Sequence, residues 1–328
     1  MILVTGGAGY IGSHTVKYLI QNGYECVVLD NLSYGHHEAV LGKHFEQIDL
    51  LDAAALEQLF EKYSIEAVVH FAAFTYVGES VTDPKKFYRN NVVGSMNLLD
   101  AMMKASVKNI VFSSTCAIYG VPESLQLDES HSQKPISPYG RSKLMIENIM
   151  EDYKTAYGLN YIALRYFNAA GASPEGKLGE KHLPETHLIP LVLQAIKGER
   201  GSISVFGQDY DTKDGTCIRD YIHVDDLASA HELALARLLQ RPKSGSTGYG
   251  DYFNLGTGVG NSVKEIISAA EKVTGKKCPT EWEGRRAGDP PVLVASNGKA
   301  KTKLGWIPRY MDIEEIIATA WEWEKNKW

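Results

Sequence analysis

The feature that most constrains this chain is the run Thr5-Gly6-Gly7-Ala8-Gly9-Tyr10-Ile11-Gly12, which follows the apolar stretch Ile2–Val4. Gly6, Gly9 and Gly12 stand at a G-x-x-G-x-x-G spacing. A turn from strand into helix that receives a pyrophosphate makes three demands. One glycine forms the tight turn, one lets the backbone approach the phosphates, and one lets the helix pack closely on the strand. The amides opened at the helix N-terminus and the helix dipole then favour anionic groups. From Gly12 to Asn22 the residues Val16, Leu19 and Ile20 keep helical spacing, and Gly23 ends it. Cys26–Leu29 reads as a second strand ending at Asp30. A carboxylate there accepts hydrogen bonds from adenosine ribose hydroxyls and repels a 2′-phosphate, so the unit is built for NAD rather than NADP. The alternative, a tight turn with no ligand, is disfavoured by the full strand–turn–helix–strand–Asp30 context.

The pattern continues. Ala53–Tyr63, Asn91–Ala105 and Tyr139–Tyr157 read as helices, and Ala67–Ala72, Ile110–Ser113 and Tyr161–Tyr166 as strands. Apolar runs alternating with helices specify βαβ units and a parallel sheet covered on both faces. The fold class is α/β: a Rossmann-like doubly wound parallel sheet with a smaller C-terminal α/β substrate-binding lobe. We place the first domain at 1–168 and the lobe at 169–328, with some segments of the second half returning to the first. Gly171 to Pro184 reads as a linker or surface loop, and Arg241–Asp251 as a Gly- and Ser-rich mobile loop. Helices recur at Leu188–Lys197, Val224–Leu239, Val263–Thr274 and Ile313–Lys325.

Composition removes several function classes. With 44% hydrophobic and 23% charged residues the chain is ordinary globular material. A net charge of −6 argues against a nucleic-acid partner. No apolar run is long enough to span a membrane, and the N-terminus lacks signal-peptide character. Cys26, Cys116, Cys217 and Cys278 are scattered, with no zinc or redox spacing, which fits a reducing, cytoplasmic setting.

A catalytic group is readable in the middle of the chain. Tyr139 and Lys143 stand four apart at the start of a helix and therefore share a face. A free tyrosine ionises near ~10, too high for a base at neutral pH. A neighbouring ammonium and a cationic nicotinamide would stabilise the phenolate and lower that value. Upstream, Thr115 ends the strand Val111-Phe112-Ser113-Ser114-Thr115, and its hydroxyl can bond both a substrate oxygen and Tyr139. An exposed Tyr/Lys pair of no consequence becomes untenable once the glycine turn and the strand-end hydroxyl are added.

These motifs resemble the extended short-chain dehydrogenase/reductase superfamily. The match narrows to the UDP-glucose 4-epimerase family through His70-Phe71-Ala72-Ala73, Val77-Gly78-Glu79-Ser80-Val81 and Arg165-Tyr166-Phe167-Asn168. Gly215–Val224 and Arg285-Arg286-Ala287-Gly288-Asp289 add the more specific signals, and the resemblance spans essentially the whole chain. It implies NAD contacts at Gly6, Gly9, Tyr10, Ile11, Gly12, Asp30, Asn31, Asp49, Leu50, Phe71, Ala72, Ala73, Asn90, Tyr139, Lys143 and Phe167. It implies nucleotide-sugar contacts at Thr115, Asn168, Val205, Phe206, Arg219, Arg286, Asp289 and Leu293. Two arginines suit a diphosphate, which they grip through bidentate charge-assisted bonds. Thr115 stands where family members often have serine. His187 stands where some carry an asparagine, and it is left out of the site. The stretch His182–His187 reads as a polar loop rather than a metal centre, so no metal is expected.

The implied reaction is reversible inversion at sugar carbon 4 of UDP-glucose and UDP-galactose, with a small-molecule partner and, by family habit, a homodimer. A 4,6-dehydratase would need an acid and a base just after the strand-end hydroxyl, and those positions are Cys116 and Ala117. A non-catalytic NAD-binding sensor would need the glycine turn but neither Tyr139 nor Lys143. The resemblance also places Leu293 at the wall of the sugar pocket, where its intermediate size implies preference for the plain hexose with some activity on N-acetylated sugars left open.

Overall fold

The computed structural model describes residues 1–241, 247–286 and 289–328. Its strands are β1 (Ile2–Thr5), β2 (Cys26–Leu29), β3 (His44–Glu46), β4 (Ala67–His70), β5 (Asn109–Thr115), β6 (Asn160–Tyr166), β7 (Asn168–Ala170), β8 (Ile203–Phe206), β9 (Ile218–His223), β10 (Tyr249–Leu255), β11 (Gly260–Ser262), β12 (Thr280–Glu283) and β13 (Val292–Leu293). Its α-helices are α1 (Tyr10–Gln21), α2 (Ala53–Lys62), α3 (Val77–Thr82), α4 (Pro84–Phe87), α5 (Gly94–Lys104), α6 (Pro138–Tyr157), α7 (Leu188–Lys197), α8 (Val224–Leu239), α9 (Val263–Thr274) and α10 (Ile313–Asn326).

Seven strands form one sheet in the order β10-β6-β5-β4-β1-β2-β3, every neighbouring pair parallel. This is the doubly wound order, with the reversal of direction between β1 and β4. Side chains alternate faces along each strand. Ile2 and Val4 enter one core with Val16 and Leu19 of α1 and Leu227, Leu235 and Leu238 of α8. Leu3 enters the opposite core with Leu56 of α2, Leu98 of α5 and Ile146 of α6. Each such fully buried aliphatic side chain contributes about 1.5–3 kcal/mol, which fixes strand register against a one-residue slip.

Two segments of the second half join this sheet: α8 packs beside α1, and β10 pairs with β6 from Tyr249↔Asn160 to Leu255↔Tyr166. The loop expected over Arg241–Asp251 therefore needs correction at its end, where 249–251 are strand. Gly250 permits this, because a Cβ there would lie 2.5 Å from the Tyr161 ring. Residues 242–246 of that expected loop lie outside the described residues, as do Ala287 and Gly288 of the arginine motif.

The smaller lobe holds β9 flanked by β11 and β13, with β7 also paired to β9, and the separate pair β12-β8. Its own core joins Val192, Leu193, Ile266 and Ile317 from α7, α9 and α10. Only Phe167 separates β6 of the large sheet from β7 of the small one. The lobe is thereby hung at the C-terminal end of β6, where open α/β sheets bind ligands.

Candidate active site

A cavity of about 970 Å³ opens at the C-terminal ends of β1, β4 and β5. The glycine turn forms one wall. Gly6 has φ +71°, and a Cβ on it would meet the Ala72 nitrogen at 2.6 Å. A Cβ on Gly12 would meet the Gly6 carbonyl oxygen at 2.1 Å, so this glycine is the one that packs helix on turn. Gly9 caps α1 without any side-chain hydrogen bond, and it lines the cavity. Helix N-terminal amides facing open space suit a pyrophosphate.

Asp30 is buried at the end of β2 and its carboxylate holds this wall together. It accepts from the Ala8 nitrogen at 3.1 Å and from the Leu32 nitrogen at 2.9 Å. Burial raises its pKa, and these two amides oppose the rise. Asn31, Leu50, Phe71, Ala72, Ala73, Asn90 and Phe167 also line the cavity. Asp49 is not in the lining; it accepts from the Asn31 amide at 2.9 Å and acts through that residue. Asn91, which the sequence reading passed over, fixes the 71–76 segment. Its Oδ1 accepts from the Phe74 nitrogen at 2.8 Å and its Nδ2 donates to the Phe74 carbonyl at 3.0 Å.

The opposite wall carries the tyrosine. Ser137 caps α6 by accepting from the Gly140 nitrogen at 3.1 Å, and Pro138 occupies the first turn, where its missing N–H costs nothing. This start sets Tyr139 in the cavity lining together with Thr115, Cys116 and Ala117 from the end of β5. Lys143, one turn on, lies behind the wall, and its Nζ donates to the Ser113 carbonyl at 2.8 Å. Burial pulls its pKa down to about 7, against a smaller opposing pull from Glu147. Burial pushes Tyr139 upward, with Tyr166 adding to the rise and Thr115 opposing it. In the protein alone desolvation dominates and Lys143 is not among the groups that shift it; the positive charge of a bound nicotinamide would act in the opposite sense. His70, on β4, is kept neutral: burial and then Lys143 lower its pKa to about 3. Its ring nitrogens bond Thr5 Oγ1 at 2.7 Å and Ser95 Oγ at 2.8 Å.

The small lobe supplies the third wall. Asn168, Arg219, Arg286, Asp289 and Leu293 all reach the cavity. Arg219 donates to the carbonyls of Ile218 at 2.9 Å and Pro290 at 2.8 Å, and its guanidinium lies 3.5 Å from Asp289. Arg286 lies over the Phe206 ring at 4.4 Å, which gives Phe206 a positioning contact. Val205 faces away: its side chain is buried in the small-lobe core, leaving only its backbone to meet a ligand. Asp220, inside the Gly215–Val224 motif, organises this wall. It accepts from Thr257 N at 2.9 Å, Thr257 Oγ1 at 2.7 Å, Gly258 N at 3.0 Å and Ala295 N at 3.2 Å. His187, set aside in the sequence reading, also lines the cavity, with Glu180 and His182.

A doubly wound sheet, a glycine turn closed by Asp30 and a Thr115–Tyr139 pair backed by Lys143 define a dinucleotide-dependent enzyme of the short-chain dehydrogenase/reductase type. Residues 2–256 match the model of the NAD dependent epimerase/dehydratase family. The UDP-glucose 4-epimerase of Halalkalibacterium halodurans is 51% identical over 99% of this chain and 96% of its own. The crystal structure of UDP-glucose 4-epimerase from Brucella ovis in complex with NAD is 52% identical, with TM-score 0.94 over 98% of this chain and 97% of that one. That of the Bifidobacterium longum enzyme in complex with NAD+ and UDP is 36% identical, with TM-score 0.92 over 99% and 98%. The chain belongs to the NAD dependent epimerase/dehydratase family and, within it, to the UDP-glucose 4-epimerases.

Proposed function

We infer that this protein interconverts UDP-glucose and UDP-galactose by inverting carbon 4, and so serves galactose metabolism. The observation that carries the reading is one cavity uniting the glycine turn, the Thr115–Tyr139 pair and the arginines of the small lobe. The glycine turn and Asp30 would hold NAD, which would supply reversible hydride acceptance at carbon 4. Tyr139 takes the proton of the 4-hydroxyl and gives it back. Thr115 orients that hydroxyl, and Lys143 fixes the end of β5 from behind. Arg219 and Arg286 hold the diphosphate while the 4-keto sugar turns about its anomeric link. Cys116 and Ala117 offer no carboxyl group, and burial drives the Cys116 thiol up to about 12, so elimination of water from the sugar lacks its acid and base.

The deciding experiment is proton NMR of purified protein with UDP-glucose and no added NAD. UDP-galactose in a stable mixture is the expected result. A stable 4-keto-6-deoxy product, or no turnover even with NAD supplied, would overturn the assignment.

We also read residues 1–168 as the cofactor domain and 169–328 as the substrate lobe, with α8 and β10 returned to the first. The protein is a homodimer in this reading, supported by the exposed apolar residues Val93 and Met96 by α5 and Met145 on α6. A cytoplasmic location is supported by four free thiols. Among the described residues no helix is long and apolar enough to cross a membrane.

A further inference from the structure

We propose that Glu180, His182, Glu185 and His187 bind a divalent transition-metal ion, zinc by preference, at the rim of the nucleotide cavity. One donor atom from each of the four lies within 4.8 Å of all the others. His187 Nδ1 is 2.7 Å from a Glu180 oxygen and 3.1 Å from a Glu185 oxygen. His182 Nδ1 is 3.1 Å from the same Glu180 oxygen and 3.7 Å from the other Glu185 oxygen. Four ligands at zinc-bond length around a tetrahedral centre stand roughly 3.3 Å apart, so small side-chain shifts convert this cluster into a coordination sphere.

The chemistry of the donors selects the ion. Two imidazoles and two carboxylates are a borderline set that suits zinc and its neighbours, whereas calcium and magnesium require more oxygen ligands. The two carboxylates and two imidazoles stand in ion-pair contact, and a divalent cation would take the place of the imidazole protons, which are released on binding. Glu180 is only 6% exposed, and its carboxylate already draws both rings onto one point, which fixes three of the four donors in the cluster. His182 Nδ1 is buried and aimed into the cluster, yet it makes no hydrogen bond of acceptable geometry. A metal bond would satisfy it.

The surroundings hold the ligands in place. The Thr186 and His187 amides donate to Glu185 Oε1 at 2.7 and 2.9 Å. The His182 ring meets Tyr10 and Tyr76 edge-on at 6.4 and 6.1 Å. The segment 171–187 has no helix or strand of its own, so an ion here would pin a cavity wall between the glycine turn and α7. The sequence alone argued for a polar loop because three donors in a row of six residues are unremarkable as a pattern. Glu180 lies outside that stretch, and only the fold brings it onto the two rings. The proposal is independent of the reaction assigned above.

The test is zinc titration of chelator-treated, full-length protein against a chromophoric competitor, with the double variant His182→Asn/His187→Asn as the reference. The expected result is one zinc per chain, bound more than about a hundredfold more tightly than by the double variant. Cobalt in place of zinc should then give the intense visible bands of a four-coordinate ion. Equal uptake by both proteins overturns the proposal and leaves an ion-paired loop. If the double variant does not fold by circular dichroism, the cobalt spectrum of the unaltered protein decides. Bands of the hydrated six-coordinate ion reject the site, and four-coordinate bands weakened in Glu185→Gln support it.

Discussion

Lys143 donates its Nζ proton to the carbonyl of Ser113 at 2.8 Å and lies over the face of Phe112 at 4.8 Å. The ammonium is thus tied to the backbone of the strand that ends in Thr115, in a site where burial dominates its titration and lowers its pKa to about 7. In the unfolded chain the same group ionises at its ordinary 10.5. Between these values the unfolded chain binds a proton that the folded chain does not, so stability rises with pH across that window and is flat below it. The slope is at most about 1.4 kcal/mol per pH unit. Urea unfolding of nucleotide-free protein from about pH 6.5 to 9.5 should show this slope, and Lys143→Met should remove it. A variant with the parent slope would mean the lysine does not titrate there.

Tyr139 reaches the cavity with its hydroxyl beside Thr115. Tyr139→Phe should lower turnover by about 10²–10⁴, the range of general acid–base catalysis. Nucleotide that co-purifies should be retained, since the glycine turn and Asp30 are untouched. Steady-state rates and nucleotide content of the same preparation check both halves.

Arg165 and Glu147 form an ion pair that is 1% and 2% exposed, joined at 3.1 Å through Nε and by a second bond from the guanidinium Nη2 at 2.5 Å. Ser114 Oγ donates to the same Glu147 at 2.6 Å, and Tyr119 accepts from Arg165 at 3.1 Å. Removing one partner strands the other as a buried charge. Arg165→Met should therefore cost about 3–5 kcal/mol in denaturant unfolding. The double change Arg165→Met/Glu147→Leu should recover much of that loss. Equal destabilisation by single and double variants would show that packing, not charge, is at stake.

Much of this was legible in the residues, and the boundary is physical. Local devices announce themselves: the glycine turn, the Ser137-Pro138 start of α6 and the apolar strands are decided within a few residues. What is long-range is silent. Tyr249–Asp251 looks like the tail of a loop until β6 offers it a partner. As one letter of a motif Asp220 shows no role, yet in the fold it gathers amides from residues 257, 258 and 295. Val205 was expected to meet the ligand, and alternation along β8 turns its side chain into the core. For Tyr139 the sequence shows the neighbouring lysine but not the desolvation, which raises the phenol in the protein alone.

Asp30 and Gly35 give the last prediction. A Cβ on Gly35 would stand 2.8 Å from one Asp30 oxygen and 2.9 Å from the other, so that glycine leaves room for the carboxylate. The carboxylate in turn is fixed by the Ala8 and Leu32 amides. If Asp30 takes the adenosine ribose hydroxyls, Asp30→Asn should weaken NAD binding by the worth of a charged hydrogen bond, about 1.5–3 kcal/mol. The same change removes the repulsion of a 2′-phosphate, so the preference for NAD over NADP should shrink. Gly35→Ala, which leaves the charge in place but displaces it, should weaken NAD binding while preserving the preference. Calorimetric titration of stripped protein with both nucleotides separates the two effects. Unchanged NAD affinity in Asp30→Asn would assign the residue to holding the turn alone.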